Sequence, residues 1–351
     1  MPSATQTTPS SSTSPQAPMY YEETEPQWLF TQEEFNKYTP SRIEGMSYDT
    51  EITNRRKGIN FIIQVGISLK LDQITLATAS IYFQRFYMRH PLQIPNTTKG
   101  AHHYQVAATA VYVAYKSKEN PRKMHELIVA VSRVAQKDPN LMIDEQSKEF
   151  WKWRETIQHH ENLMLEVLCF DLDPGLPYQI LYEFLKTYNV QDNKRLRNVS
   201  WAVVTDSFTT ILCLLVQPQS IAGGALHLGL RHGDIKLPDD EYGRPWWEAL
   251  GLNTEEMSTV LECMLSTYES SGLPRQAPGD AYVRDADTMV FEHTRMPTPG
   301  GSVVEGDGEG MGEKPGEAEN GSGGDGERDG DKVMEDVRSN GRSGSEEGEL
   351  G

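Results

Sequence analysis

The chain is 351 residues long, with 33 Lys/Arg against 51 Asp/Glu and a formal net charge of −18. So acidic a balance supplies no basic surface for tracking phosphates, which argues against direct nucleic-acid binding and favours a protein partner. Cys169, Cys213 and Cys263 stand singly in apolar stretches, with neither CxxC spacing nor an even count, so no disulfide or metal site is expected and a reducing compartment is. No apolar run approaches the ~18 residues of a membrane span, and the N-terminus lacks the basic and apolar regions of a signal peptide. A soluble intracellular protein, with no membrane contact, is the expectation.

Residues 1–27 read as a disordered arm, because the first eighteen (MPSATQTTPSSSTSPQAP) offer almost nothing apolar to offset the entropy of ordering. From Trp28 to Tyr268 apolar residues recur at three- and four-residue spacing, and β-branched alternation is almost missing, which predicts an all-α domain. The expected helices are 51–69, 73–89, 103–117, 122–136 and 148–169. The segment DLDPGLP (171–177) then breaks the pattern with one glycine and two prolines and is placed as a linker. A second set follows at 177–188, 195–215, 219–231, a short element near 244–250, and 254–269. Beyond it, Ser271 to Gly351 holds 8 Lys/Arg against 19 Asp/Glu and more than half of the 29 glycines, the signature of an acidic, disordered tail. The expected organisation is therefore 28–171, 172–270 and a tail from 271 to 351.

Two five-helix sets suggest an internal repeat. VAATAVYVAYK (106–116) aligns with IAGGALHLGLR (221–231) at a constant offset of 115, placing Val106 on Ile221, Ala107 on Ala222, Ala110 on Ala225, Ala114 on Gly229 and Lys116 on Arg231. Small residues at i, i+3 and i+7 form one narrow helix face that admits close neighbours. Such a helix is expected at the centre of each set.

Several segments in order resemble the cyclins, and within them the transcriptional branch of cyclins K and T. They are WLFTQEEFNKYTPSRIEG (28–45), LATASIYFQRFYM (76–88), AYKSKENPRK (114–123), ENLMLEVLCFDLDPGLPY (161–178) and PWWEALG (245–251). The resemblance implies two tandem five-helix cyclin boxes, and a regulatory subunit that activates a cyclin-dependent kinase acting on the RNA polymerase II carboxy-terminal repeat domain. It implies a nuclear protein that promotes transcription elongation and is not itself an enzyme. Lys116 and Glu161 match the lysine and glutamate by which cyclins hold the kinase near its αC helix, with Glu119 beside them. Without the resemblance, Lys116 reads as a cation at a helix C-terminus and Glu161 as part of a solvated face. The family's lysine is usually followed by a variable residue and two glutamates, whereas Ser117, Lys118 and Glu119 follow here. Cell-cycle cyclins carry Met-Arg-Ala-Ile-Leu on the first helix to dock substrates. Asn54, Arg55, Arg56, Lys57 and Gly58 stand here, read as a basic, polar strip that disfavours such docking.

Trp246 and Trp247 are candidates for a partner surface, since exposed tryptophans are common hot spots, with core packing of at least one ring as the alternative. Trp151, paired with Trp153 at the start of the fifth helix, is a third candidate. The adjacent pairs His102–His103 and His159–His160 diverge by about 100° on a helix and make poor co-ligands, so no metal or cofactor is expected. GDGEGMG (306–312) follows no strand and opens no helix, and no nucleophile elbow or phosphate loop is present, so no catalytic residue is assigned. A competing role, a cyclin-box protein bridging promoter and polymerase without a kinase, would need a basic surface and often a metal ribbon.

Overall fold

The computed structural model describes residues 24–94, 99–120, 122–271, 283–284 and 287–297. Residues 1–23 of the expected arm, Pro121 in the turn after the third helix, the glycine motif at 306–312 and most of the acidic tail lie outside the described residues. A 3-10 turn at Pro26–Trp28 leads into two short helices that the sequence reading did not resolve, α1 (Gln32–Tyr38) and α2 (Pro40–Ile43). Thr31 opens α1 with a capping box closed by Glu34, and Pro40 occupies the first turn of α2, where a missing N–H costs nothing.

The first five-helix set is α3 (Tyr48–Leu69), α4 (Gln73–Arg89), α5 (His103–Ser117), α6 (Met124–Gln136) and α7 (Lys148–Val167). Ser47, Asp72 and Ser147 cap α3, α4 and α7 through side-chain oxygens, each such cap worth ~1 kcal/mol. The second set runs through α8 (Pro177–Thr187), α9 (Lys194–Ser207), α10 (Leu212–Leu215), α11 (Pro218–Gly233), α12 (Trp246–Ala249) and α13 (Thr254–Ser270). The single helix expected over 195–215 is thus two. Thr209 and Thr210 turn their hydroxyls back to the carbonyls of Asp206 and Ser207, and Thr210 Oγ1 accepts from the Leu212 amide, which favours a turn over helix continuation.

Each set has its own core. Ile59, Ile62, Phe83, Phe86, Val111 and Ile157 are among the buried residues of the first, and Leu181, Phe184, Val203, Leu226 and Leu261 of the second. The small-residue helices α5 and α11 lie at the two centres, α5 against α3, α4 and α7, and α11 against α8, α9 and α13. At Gly229 an added Cβ would stand 2.1 Å from Ser200 Oγ on α9, so the missing side chain sets the helix separation. Helix α4 joins the boxes: its Ala77 and Ile81 belong to the second core, and Gln84 donates to the Thr210 carbonyl.

Two readings change on burial. Arg55 is not part of an exposed basic strip. It is 1% exposed and bonded to Glu51 (2.9 Å), to Gln84 Oε1 and to the Tyr87 carbonyl, while Thr39 donates to the other oxygen of Glu51. A fully buried charge demands such a complete set of partners. Of that strip Arg56 and Lys57 are exposed.

The second change concerns the chain beyond residue 270, expected to belong wholly to a disordered tail. Residues 287–297 lie on the second box, where β2 (Arg295–Met296) pairs in parallel with β1 (Leu237–Pro238). Phe291 packs on His227 and Trp247, the Thr288 carbonyl bonds His227 Nε2 at 2.9 Å, and Thr294 Oγ1 accepts from Trp246 Nε1. Arg295 grips Asp239 through two bonds of 2.7 and 2.9 Å. An apolar anchor, a bidentate ion pair and these backbone and side-chain hydrogen bonds hold the segment where bulk composition signals only polarity.

Candidate functional site: the end of the central helix of the first box

The last turn of α5 carries Lys116, a cation placed where the helix dipole favours it. Its Nζ lies 2.6 Å from Glu161 Oε1 on α7 and 4.8 Å from the centre of the Tyr112 ring. The hydrogen bond to Glu161 raises the Lys116 ammonium above its usual range, so it is charged at any physiological pH. The lysine side chain is 49% exposed and the glutamate 19%. The pair therefore presents a cation outward, with its counter-ion set behind.

Two residues on, Lys118 pairs with Asp173 of the inter-box linker. Glu119 follows in the left-handed conformation (φ 54°) and is exposed at the same helix end. The structure thus brings together Lys116, Glu161 and Glu119 and adds Lys118, Asp173 and Tyr112. From sequence, Lys118 stands out only as a departure from the family pattern, and Asp173 and Tyr112 carry no signal of their own.

This end of α5 is fixed by hydrogen bonds to the linker. Tyr82 on α4 donates to the Leu172 carbonyl at 2.6 Å and lies 3.0 Å from Ser117 Oγ. Burial pushes the Tyr82 phenol up to about 12, so it stays a neutral donor. Asp171 receives Trp28 Nε1 at 2.6 Å and Arg85 at 2.9 Å. The fully buried Trp28 ring is flanked by the guanidiniums of Arg85 and Arg89, 4.8 and 4.0 Å from its centre. Lead-in segment, linker and α5 terminus are one connected polar assembly.

The tryptophans separate. Trp246 (0% exposed) and Trp247 (6%) are core residues, the first bonded to Thr294 and the second packed on Phe291, so neither forms a partner surface. Trp151 is 45% exposed at the start of α7, its indole N–H on the Glu145 carbonyl and Arg154 over its ring. His102 and His103 stack at 4.3 Å, and burial holds both below the usual imidazole range, His103 down to about 3. Among the described residues no three His, Cys, Asp or Glu side chains are grouped as a metal would need.

The chain is similar in sequence and fold to known proteins. The pattern "Cyclin, N-terminal domain" matches residues 26–173, which contain α5, α7 and the linker through Asp173. Cyclin pch1 of Schizosaccharomyces pombe is 39% identical over 252 residues, covering 72% of this chain and 71% of that one. Cyclin-T1-5 of Arabidopsis thaliana is 31% identical over 249 residues (70% and 42%), and human Cyclin-K 32% over 232 residues (64% and 37%). The chain therefore spans less than half of the length of the last two. Among solved structures, a chain of the yeast RNA Pol II CTD kinase CTDK-1 complex shares the fold, with a TM-score of 0.59 at 14% identity over 74% of this chain and 80% of that chain.

Proposed function

The chain belongs to the cyclin family, and from that premise we propose that it binds and activates a cyclin-dependent kinase that phosphorylates the RNA polymerase II carboxy-terminal repeat domain. In this reading it works in the nucleus and promotes transcription elongation, and the repeat domain is reached through the kinase. The observation that carries it is the outward-facing Lys116, held by Glu161 on a helix end that the linker and lead-in segment immobilise. An active kinase needs its αC glutamate paired with the ATP-contacting lysine, so a rigid partner surface that grips αC favours the active arrangement. Activation is a population shift, in which the subunit binds the αC-in state better than the αC-out state. The repeat-domain substrate is proposed from the resemblance to the transcriptional cyclins T and K, and relatives bearing those two names are among the proteins this chain is similar to.

The test is capture of a kinase from nuclear extract by the full chain, followed by assay on a polymerase repeat peptide. The expected result is a co-purifying kinase whose activity on that peptide rises with added subunit. Recovery of a kinase with no activity on the repeat peptide would refute the substrate assignment. Recovery of no kinase would refute the function.

A further inference from the structure

The two ion pairs at the end of α5 are arranged with opposite polarity. In the first, the cation is the outer member: Lys116 is 49% exposed and Glu161 19%. In the second, the anion is the outer member: Asp173 is 80% exposed and Lys118 20%. Positions 116 and 118 diverge by about 200° around a helix, so the pairs lie on opposite flanks of the same terminus, one toward α7 and the other toward the linker. A partner segment laid across this end meets positive charge on the α7 flank and negative charge on the linker flank.

Neither flank is loose. Asp173 follows Asp171 and Leu172, which are fixed by Trp28, Arg85 and Tyr82, and precedes the buried Pro174. Lys118 caps α5, its amide bonded to the Ala114 and Lys116 carbonyls. Resting on the kinase-binding reading above, we infer that Asp173 is a specificity-determining contact, positioned by Lys118, and that the partner it selects carries an acidic group toward Lys116 and a basic group toward Asp173.

This accounts for the unusual residue at 118. The resemblance implies acids at 118 and 119 after the lysine, and the base at 118 removes one of them from the helix end. In the fold Lys118 is the inner member of its pair, and the outward carboxylate on that flank comes from the linker instead. A partner that reads charge at this site therefore still meets an anion, displaced from the helix onto the linker. An exposed pair of this kind adds little to folding stability, so its value lies in orienting and steering the partner.

The test uses the full chain and, as probe, the kinase recovered by the wild type and then purified alone. Association rates are measured at low salt and at 0.3 M salt for the wild type, Asp173→Lys, the swapped pair Lys118→Glu/Asp173→Lys, Lys118→Met and Lys118→Arg. Both variants with reversed outer charge are expected to associate about tenfold more slowly at low salt and to approach the wild type at high salt, with unchanged melting temperatures. Lys118→Met should slow association by about threefold, and Lys118→Arg should restore it. Wild-type rates for the swapped pair at low salt would overturn the inference while leaving the kinase-binding function intact. Failure of the wild type itself to recover a kinase would overturn both.

Discussion

The two boxes share a central small-residue helix and differ in what is left uncovered. In the first, the end of α5 turns Lys116 and its neighbours outward on a terminus held by Tyr82, Asp171 and Trp28. In the second, α11 and the adjacent Trp246 and Trp247 are roofed by residues 287–297, through His227, Phe291 and Arg295. A repeated frame has thus been finished in two ways, with one helix end left open, which we propose as the binding end, and one helix covered at His227 by a later segment of the same chain. The difference teaches that a residue's place in the repeat does not decide its role; the segments laid over it do.

The hinge of the comparison is the buried pair Glu51–Arg55, which joins α3 to α4 beside the contacts between boxes. Arg55→Met would leave Glu51 buried without its counter-charge and is expected to cost about 3–5 kcal/mol, measured by urea unfolding. A loss below about 1 kcal/mol would show that water reaches the pair.

Next comes pH, which should act on the covered helix. Burial pushes the His227 imidazole down to about 4 from an ordinary value of about 6.5. Because the folded pKa is depressed, the stabilisation is fully present above pH 6.5 and is lost as pH falls from 6.5 toward 4, by an amount on the order of 3 kcal/mol. His103, pushed down to about 3 by its own burial, gives the first box a loss of the same sign. Imidazole shifts followed by NMR separate the two. A normal titration of His227 would mean that the 287–297 segment does not cover it in solution.

A smaller effect is expected from Thr294→Val, which removes the acceptor of Trp246 Nε1 and leaves a buried donor unpaired. The expected cost is about 1–3 kcal/mol, accompanied by a change in tryptophan emission. The smallest is Lys116→Met. The lysine is half exposed, so stability should fall by less than about 1 kcal/mol while kinase capture is lost. That divergence between folding and binding is what marks the open end.

Most of the helical frame was legible because it rests on periodicity. The helices from 51 to 136 are found within a few residues of their expected ends, and the offset of 115 between α5 and α11 links two helices that are indeed central. What the pattern hid was decided by tertiary partners. Arg55 reads as surface charge until Glu51 one turn earlier and Gln84 on α4 are seen to satisfy it. Thr209 and Thr210 break α9 through local hydroxyl bonds that apolar spacing does not register. Phe291 and Arg295 are two anchors in an acidic, glycine-rich stretch whose composition masks them. At the site, Lys116 and Glu161 were reached through the family resemblance. Asp173 lies in the linker segment that carries the resemblance, but nothing in that segment singles out its carboxylate, and only its approach to Lys118 reveals it.

The central claim is that the polarity presented by the end of α5 selects the kinase. The direct measurement compares the wild type with the double reversal Lys116→Glu/Glu161→Lys, which keeps an internal ion pair but turns an anion outward. Kinase capture and activity on the repeat peptide are read alongside the melting temperature. Capture lost at an unchanged melting temperature is the predicted result. Undiminished capture by the reversed pair would contradict the account.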